Sequence, residues 1–272
     1  MDLVETFSKI QPSIVAFGSR FAPSSDETAP HFPPLFGTGF VVDARGIVCT
    51  NRHVVKLLEE QLTGSAIAVV FPRFDETHGQ PVLFRGIRAC SVLHEFSSSG
   101  PFYGEEVPDI AFVQIDVQGL DALQFASEPG TLRIGKSIAT AGFGMGAAPI
   151  VAFEKVTQLT PLLRHGVISS VYPCPCPLPD GFTIDVMTQG GESGSPVFLP
   201  DEPKVVGMVE AGFPNSNITI CLPGHLLRES VDAAMKDALD FRNVPFLSEL
   251  LERSEKSNKM EWTRLVPRSY KR

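Results

Sequence analysis

Thr188-Gln189-Gly190-Gly191-Glu192-Ser193-Gly194-Ser195-Pro196-Val197-Phe198 sets three glycines and two serines between two apolar runs, Phe182 to Met187 and Val197 to Leu199. A serine flanked by Gly191 and Gly194 suits a tight turn that exposes its hydroxyl. Such a turn also lets backbone N–H groups converge on one point, where they can stabilise a developing negative charge. Taken alone, the stretch is equally well read as a Gly-rich hairpin loop. The residues upstream decide between the two.

A serine hydroxyl is a weak nucleophile unless a base takes its proton, and the base needs a carboxylate to orient it. The chain has six histidines: His31, His53, His78, His94, His165 and His225. Only His53 sits where a β-hairpin ends and a turn begins, behind a Gly-rich strand. His31 and His78 fall in polar loops. His94, His165 and His225 border strands or a helix and suit ordinary structural duty. Asp109 follows Val107-Pro108 and opens the apolar run Ile110-Ala111-Phe112-Val113. A carboxylate at the mouth of a buried strand is held rigidly and partly desolvated, and can fix an imidazole tautomer. Asp116, at the far end of the same run, is the plain turn aspartate for comparison.

The intervening chain reads as short strands. Asp2 to Lys9 is a short helical lead-in. Ser13 to Phe17, Phe36 to Val42, Ile47 to Thr50, Ala66 to Phe71, Val82 to Leu93 and Ile110 to Ile115 form a first β-rich set. Asp43-Ala44-Arg45-Gly46 closes the hairpin between the second and third of these. After Glu128-Pro129-Gly130 a second set follows: Ser137 to Phe143, Gly166 to Val171, Phe182 to Met187, Pro196 to Leu199, Val205 to Glu210 and Ile218 to Cys221. Two groups of short strands with no long helix between them point to an all-β fold of barrels or sandwiches. After Pro223 the pattern changes. Leu227, Val231, Ala234, Met235 and Ala238 recur at helical spacing. Pro245 interrupts, a helical pattern resumes over 246–253, and a mostly basic tail reads as solvated and frayed.

Composition excludes several classes of function. A net charge of -8 argues against a nucleic-acid partner, whose phosphates need clustered Lys and Arg. No apolar run reaches the length of a membrane span. The start, Met1-Asp2-Leu3-Val4-Glu5, is acidic and lacks the apolar core of a signal peptide. Five cysteines is an odd number in a chain too large to need stapling. Cys49, Cys90 and Cys221 lie inside apolar runs and read as core thiols. Cys174-Pro175-Cys176 has no partner at zinc-ligand spacing, so no metal or other cofactor is expected. A reducing, cytoplasmic compartment is the simplest reading.

Six segments together resemble one family. Phe36-Gly37-Thr38-Gly39-Phe40-Val41-Val42 and Gly46-Ile47-Val48-Cys49-Thr50-Asn51-Arg52-His53-Val54-Val55 are similar to the G-[ST]-G-[FS] and T-N-x-H-V stretches of trypsin-like serine peptidases of the HtrA (Deg) branch. Asp109-Ile110-Ala111 resembles that family's D-[IL]-A. Ile134 to Gly144 and Gly166-Val167-Ile168-Ser169 resemble its next two segments. Gly191-Glu192-Ser193-Gly194-Ser195-Pro196 resembles G-[ND]-S-G-G-P, and Val205 to Val209 with Ile218 to Pro223 resemble its closing strands. The chain order His53, Asp109, Ser193 also excludes an α/β-hydrolase elbow, whose Asp and His follow the serine.

The resemblance implies two six-stranded antiparallel β-barrels of chymotrypsin-like type. Barrel one spans about 12–118 and barrel two about 130–223, in a peptidase domain over 1–223. Residues 224–272 form a helical extension and basic tail, with no PDZ domain expected. The implied activity is that of a serine endopeptidase acting on polypeptides through a catalytic triad of His53, Asp109 and Ser193. Gly191 and Ser193 would donate the oxyanion-hole N–H groups. Met187 would floor the substrate pocket, with Gly212 and Ile218 at its walls. The lack of an acid at Met187 and the bulk of Ile218 imply a shallow pocket for a small or medium aliphatic residue.

Two departures from the family pattern bear on this. Ser195 stands where the family has a second glycine, so its Cβ is expected to crowd the turn. Glu192 stands in place of Asn or Asp, and its carboxylate is expected to point outward to solvent. The alternatives are a silent pseudo-protease that only binds peptides, and a scaffold acting through the C-terminal helices.

Overall fold

The computed structural model describes residues 1–19, 34–60, 66–70, 83–92, 108–115, 119–126, 130–145, 160–174, 178–235 and 263–264. His31, His78, His94, Asp116, Cys176 and the helical pattern over 246–253 lie outside these residues, as does the side chain of Cys90.

The protein is built from two antiparallel sheets, each closed into a ring by strand pairing. The first holds β1 (Ile14–Ser19), β2 (Leu35–Asp43), β3 (Ile47–Thr50), β4 (Ala66–Val70), β5 (Leu83–Val92) and β6 (Ala111–Ile115). Their order is β5-β4-β1-β2-β3-β6, and β6 pairs back onto β5 to close the barrel. The second holds β8 (Ser137–Gly142), β9 (Leu162–Tyr172), β10 (Gly181–Ile184), β11 (Pro196–Phe198), β12 (Lys204–Gly212) and β13 (Thr219–Pro223). Here the order is β11-β8-β9-β10-β13-β12, with β11 pairing β12. A two-residue strand, β7 (Gln124–Phe125), runs parallel to the start of β12.

Many of these strands are buried on both faces, which explains why their sequences read as unbroken apolar runs rather than alternating ones. In β1, Val15 and Phe17 join a cluster with Val41, Val48, Val113 and Ile115 that belongs to the first sheet alone. Ile14 and Ala16 point the other way. They join Phe40, Phe112, Phe143, Phe198, Met208 and Leu227 in a cluster drawn from both sheets. A third cluster, with Ile138, Phe182, Ile184 and Val197, belongs to the second sheet. The shared cluster is the seam between the barrels.

Helices close the seam and carry one site residue. α1 (Leu3–Ile10) starts at Asp2, whose carboxylate accepts the Glu5 N–H at 2.9 Å, a standard N-cap. It buries Thr6 and Ile10 and ends in a 3-10 turn, Gln11–Ser13. α2 (Arg52–Glu59) follows β3 directly and packs Val54, Val55 and Leu58 onto barrel one. α3 (Gly224–Met235) follows β13 and places Leu226 and Leu227 in the seam.

The tail departs from the frayed segment expected of it at one point. Thr263–Arg264 forms β14, antiparallel to Leu83–Phe84 of β5, on the stretch of that long strand beyond its pairing with β6. No helix among the described residues is long and apolar enough to cross a membrane.

Candidate active site

β3 ends at Thr50 and α2 begins two residues later, so His53 stands in the first turn of a helix. That turn has backbone N–H groups with no partner inside the helix. Asn51, the N-cap, makes no side-chain cap. Asp109 does the capping from the next strand: its Oδ1 accepts the His53 N–H at 3.0 Å. Its Oδ2 meets His53 Nδ1 at 2.5 Å. Asn51 Nδ2 donates to the Asp109 carbonyl at 2.9 Å and so holds the carboxylate's own backbone.

Burial alone would raise the Asp109 pKa, but the hydrogen bond and charge of His53, with the charge of Arg52, outweigh it and hold the carboxyl below its usual range. An ionised carboxylate only accepts hydrogen bonds, so Nδ1 carries the imidazole proton. In the neutral imidazole Nε2 then keeps its lone pair, on a side chain that is 44% exposed and therefore open to a substrate.

Ser193 reaches the same place from barrel two. Its carbonyl accepts the Thr38 N–H of β2 at 2.9 Å. Gly194 follows with φ +86, and a Cβ there would lie 1.9 Å from the Thr38 carbonyl oxygen and 2.5 Å from Thr50 Oγ1. Only glycine allows this approach to the strands that lead into His53. In the present rotamer Ser193 Oγ donates to the Glu210 carbonyl at 3.2 Å, and no hydrogen bond joins it to His53. Glu210 thus meets the serine through its backbone.

The turn before Ser193 is held from several sides. Met145 N–H donates to the Gly190 carbonyl at 2.7 Å. Thr38 Oγ1 donates to the Gly191 carbonyl at 2.7 Å and accepts the Phe143 N–H at 3.1 Å. Gly191 takes φ +98. The N–H groups of Gly191 and Ser193 find no acceptor among the described residues.

Both departures from the family pattern are buried, and one turns out differently from expectation. Ser195 buries its hydroxyl without a hydrogen-bond partner. Its side chain is buried and fills the space above Gly142, where a Cβ would come 1.9 Å from Ser195 Oγ. Glu192 does not point to solvent. It is 2% exposed, and its carboxylate accepts from Arg164 Nε at 2.7 Å and from the Gln189 N–H at 2.6 Å. A carboxylate at that depth needs hydrogen-bond partners for its oxygens, and this local pairing turns it inward.

A family model described as "Trypsin-like peptidase domain" matches residues 37–208, more than half of the 272-residue chain. The chain belongs to the trypsin-like peptidase family. Solved structures of proteases share its fold. A serine endoprotease from Yersinia pestis is 16% identical with a TM-score of 0.53, over 87% of this chain and 68% of that one. Deg5 is 19% identical with a TM-score of 0.55, over 86% and 93%. The HtrA-type protease AlgW, solved with a decapeptide, is 16% identical with a TM-score of 0.53, over 84% and 66%. The chain thus spans about two thirds of the first and third of these. No curated protein matches the chain by sequence.

In this trypsin-like domain the expected pocket residues lie on adjoining segments. Thr219 Oγ1 donates to the Val186 carbonyl at 2.6 Å and shares a hydrogen bond with Thr188 Oγ1 at 2.8 Å. These bonds tie the segment carrying Met187 to the start of β13, next to Ile218. Gly212 lies against the same segment: a Cβ on it would come 2.5 Å from Thr188 Oγ1 and 3.1 Å from the Thr188 carbonyl oxygen. The side chains of Met187 and Ile218 are both partly open to solvent, Ile218 at 47%.

Sequence reasoning missed Thr38, Thr188, Thr219 and Arg164. Thr38 had a signal, a hydroxyl between two glycines in an otherwise apolar buried strand. Thr219 and Arg164 sit in ordinary strand sequence and Thr188 at the start of the Gly-rich stretch, and only their three-dimensional neighbours distinguish them. Among the described residues no His, Cys, Asp and Glu group is placed to hold a metal ion.

Proposed function

We propose that the protein is a serine endopeptidase in which Ser193 is the nucleophile, His53 the general base and Asp109 the group that orients His53. The observation that carries this reading is the His53–Asp109 pair, with Nδ1 committed to the carboxylate, in a chain whose Ser193 turn is bonded to β2 and leaves the Gly191 and Ser193 N–H groups unpaired among the described residues.

On this reading Ser193 Oγ leaves the Glu210 carbonyl for His53 Nε2 when substrate binds; catalytic hydrogen bonds are often unmade in its absence. Oγ then attacks the scissile carbonyl carbon and its proton passes to Nε2. The carbonyl π pair moves to oxygen, and the N–H groups of Gly191 and Ser193 stabilise the oxyanion. The imidazolium gives its proton to the departing amine, leaving an acyl ester on Ser193. Water attacks that ester by the same route and restores the serine.

The substrate is an extended polypeptide. Beyond Val209, the edge of β12 opposite β13 has no strand partner among the described residues, which leaves Ala211 and Gly212 to pair with a peptide backbone. Met187 offers no acid to a basic side chain, and Ile218, next to the Thr219 that is bonded to the Val186 carbonyl, adds bulk to the pocket. The residue before the scissile bond is therefore small or medium and aliphatic, such as Val, Ala, Leu or Met. The buried, unpaired Cys49 and Cys221 support a reducing, cytoplasmic setting. The bond from Ser193 Oγ to Glu210 favours a second reading, a peptide-binding module that does not cleave.

Labelling with a fluorophosphonate probe separates the two. The wild type should label and Ser193→Ala should not. Ser193→Ala, His53→Ala and Asp109→Ala should each lower kcat by roughly 10⁴-fold, with losses that do not multiply. Labelling that survives in Ser193→Ala but is lost in Ser195→Ala would place the nucleophile wrongly. For specificity, new termini from a digested denatured proteome should show the aliphatic preference, with only modest discrimination, about 1–3 kcal/mol, per methylene. A dominant Lys or Arg before the cut would overturn the pocket assignment.

A further inference from the structure

Buried Glu192 and part-exposed Arg164 form an ion pair at the turn before Ser193. The Glu192 carboxylate lies over Gly144, where a Cβ would come 2.7 Å from Cδ. One oxygen binds Arg164 on β9, and the other binds the Gln189 N–H. The Glu192 N–H itself donates to the Gln189 carbonyl at 3.0 Å. The turn from Gln189 to Glu192 is thus closed twice, once by backbone and once by a charged side chain.

Inside that closure lie Gly190 and Gly191, two consecutive residues with little intrinsic preference for any backbone orientation. The Gly190 carbonyl is held by Met145 and the Gly191 carbonyl by Thr38. In a trans peptide the N–H lies opposite the carbonyl, so the Gly191 N–H faces away from Met145. A flip of the Gly190–Gly191 peptide would exchange that donor for a carbonyl oxygen and turn a site for an oxyanion into one that repels it.

We infer that Arg164 and Glu192 are positioning residues: their ion pair locks the Gly190–Gly191 peptide with its N–H presented to the oxyanion. Arg164 touches no reacting atom and acts through Glu192. The inference rests on the serine peptidase reading. Geometry within about 1 Å governs oxyanion stabilisation, so loss of the lock removes transition-state binding and leaves ground-state peptide binding in place.

The test uses the full chain and four variants: Arg164→Ala, Arg164→Lys, Glu192→Gln and the double Arg164→Ala/Glu192→Gln. Three quantities are measured for each: kcat and KM on a peptide substrate, Ki for a peptide aldehyde of the same sequence, and Kd for the same peptide with a reduced scissile bond. The aldehyde forms a tetrahedral adduct with an oxyanion, and the reduced-bond peptide does not. Arg164→Ala and Glu192→Gln should lower kcat by roughly 10- to 100-fold and weaken the aldehyde in parallel. KM and the reduced-bond Kd should stay within about twofold. Arg164→Lys should recover part of the loss, and the double variant should resemble either single one.

A kcat within twofold of wild type in both single variants would overturn the inference. So would equal weakening of the aldehyde and the reduced-bond peptide, which marks general disorder of the groove. If Glu192→Gln fails to fold, the more exposed Arg164 variants decide by the same criteria. A wild type that neither labels with fluorophosphonate nor cleaves would overturn the peptidase reading itself, whereas an active wild type with insensitive variants overturns only the role of the pair.

Discussion

Asp109 receives two hydrogen bonds from one residue, and both depend on its charge. Its folded-state pKa lies below the ordinary carboxylate value, so its ionised form is favoured more in the folded protein than in the unfolded chain. The stability this contributes is fully present above the unfolded value of about 3.9 and is lost as pH falls through the folded value. Asp109→Asn should therefore flatten the acid limb of stability, measured as the urea midpoint between pH 2 and 7. It should also lower kcat by about 10⁴-fold, because an amide donor facing Nδ1 selects the wrong tautomer. An unchanged acid limb would remove Asp109 as the source of the linkage. At this scale the sequence is legible where chemistry depends on neighbours along the chain: Asp109 opens a buried strand, and His53 follows one. It is not legible for Glu192, whose partner Arg164 lies 28 residues away on β9 and belongs to no local pattern.

Elements were readable when their burial left a mark on composition. The strand runs of both barrels stand out because strands such as β1, β3, β6 and β10 are buried along most or all of their length. β7 and β14 are two residues each, too short for any periodicity, and exist because a neighbouring strand offers an open edge. β9 runs longer than its apolar core because its polar residues Arg164 and His165 pair by backbone to Thr140 and Ala139. α1 is short, and a free peptide of its length would not hold a helix. Its stability comes from Ile10, fully buried in the seam cluster. Ile10→Ala should cost about 2–5 kcal/mol, through lost burial and the cavity left between the barrels. Urea unfolding followed by circular dichroism measures this, and a loss under about 1 kcal/mol would show that α1 is peripheral to the seam.

The whole molecule keeps its described core thiols out of reach. Cys49 and Cys221 are fully buried and unpaired, while Cys174 is exposed. Burial pushes both buried thiols far up the pKa scale, and the charge of Glu210 adds to this at Cys221. Native protein treated with iodoacetamide should be alkylated at Cys174 and spared at Cys49 and Cys221, with all five cysteines reacting after denaturation. Peptide mapping reads each site, and a disulfide in the unreduced digest would overturn both the thiol assignment and the reducing compartment. The seam also imposes an order on the protein's birth. The hydrogen bond from Thr38 to Gly191 joins positions 153 residues apart. At synthesis rates of about 5–20 residues per second, Gly191 leaves the peptidyl-transfer centre roughly eight to thirty seconds after Thr38. The histidine and its aspartate are translated well before the turn that would hold the oxyanion. On the reading proposed above, the nascent chain has no hydrolytic power while its first barrel is being made, and acquires it only when the second has been translated and docked.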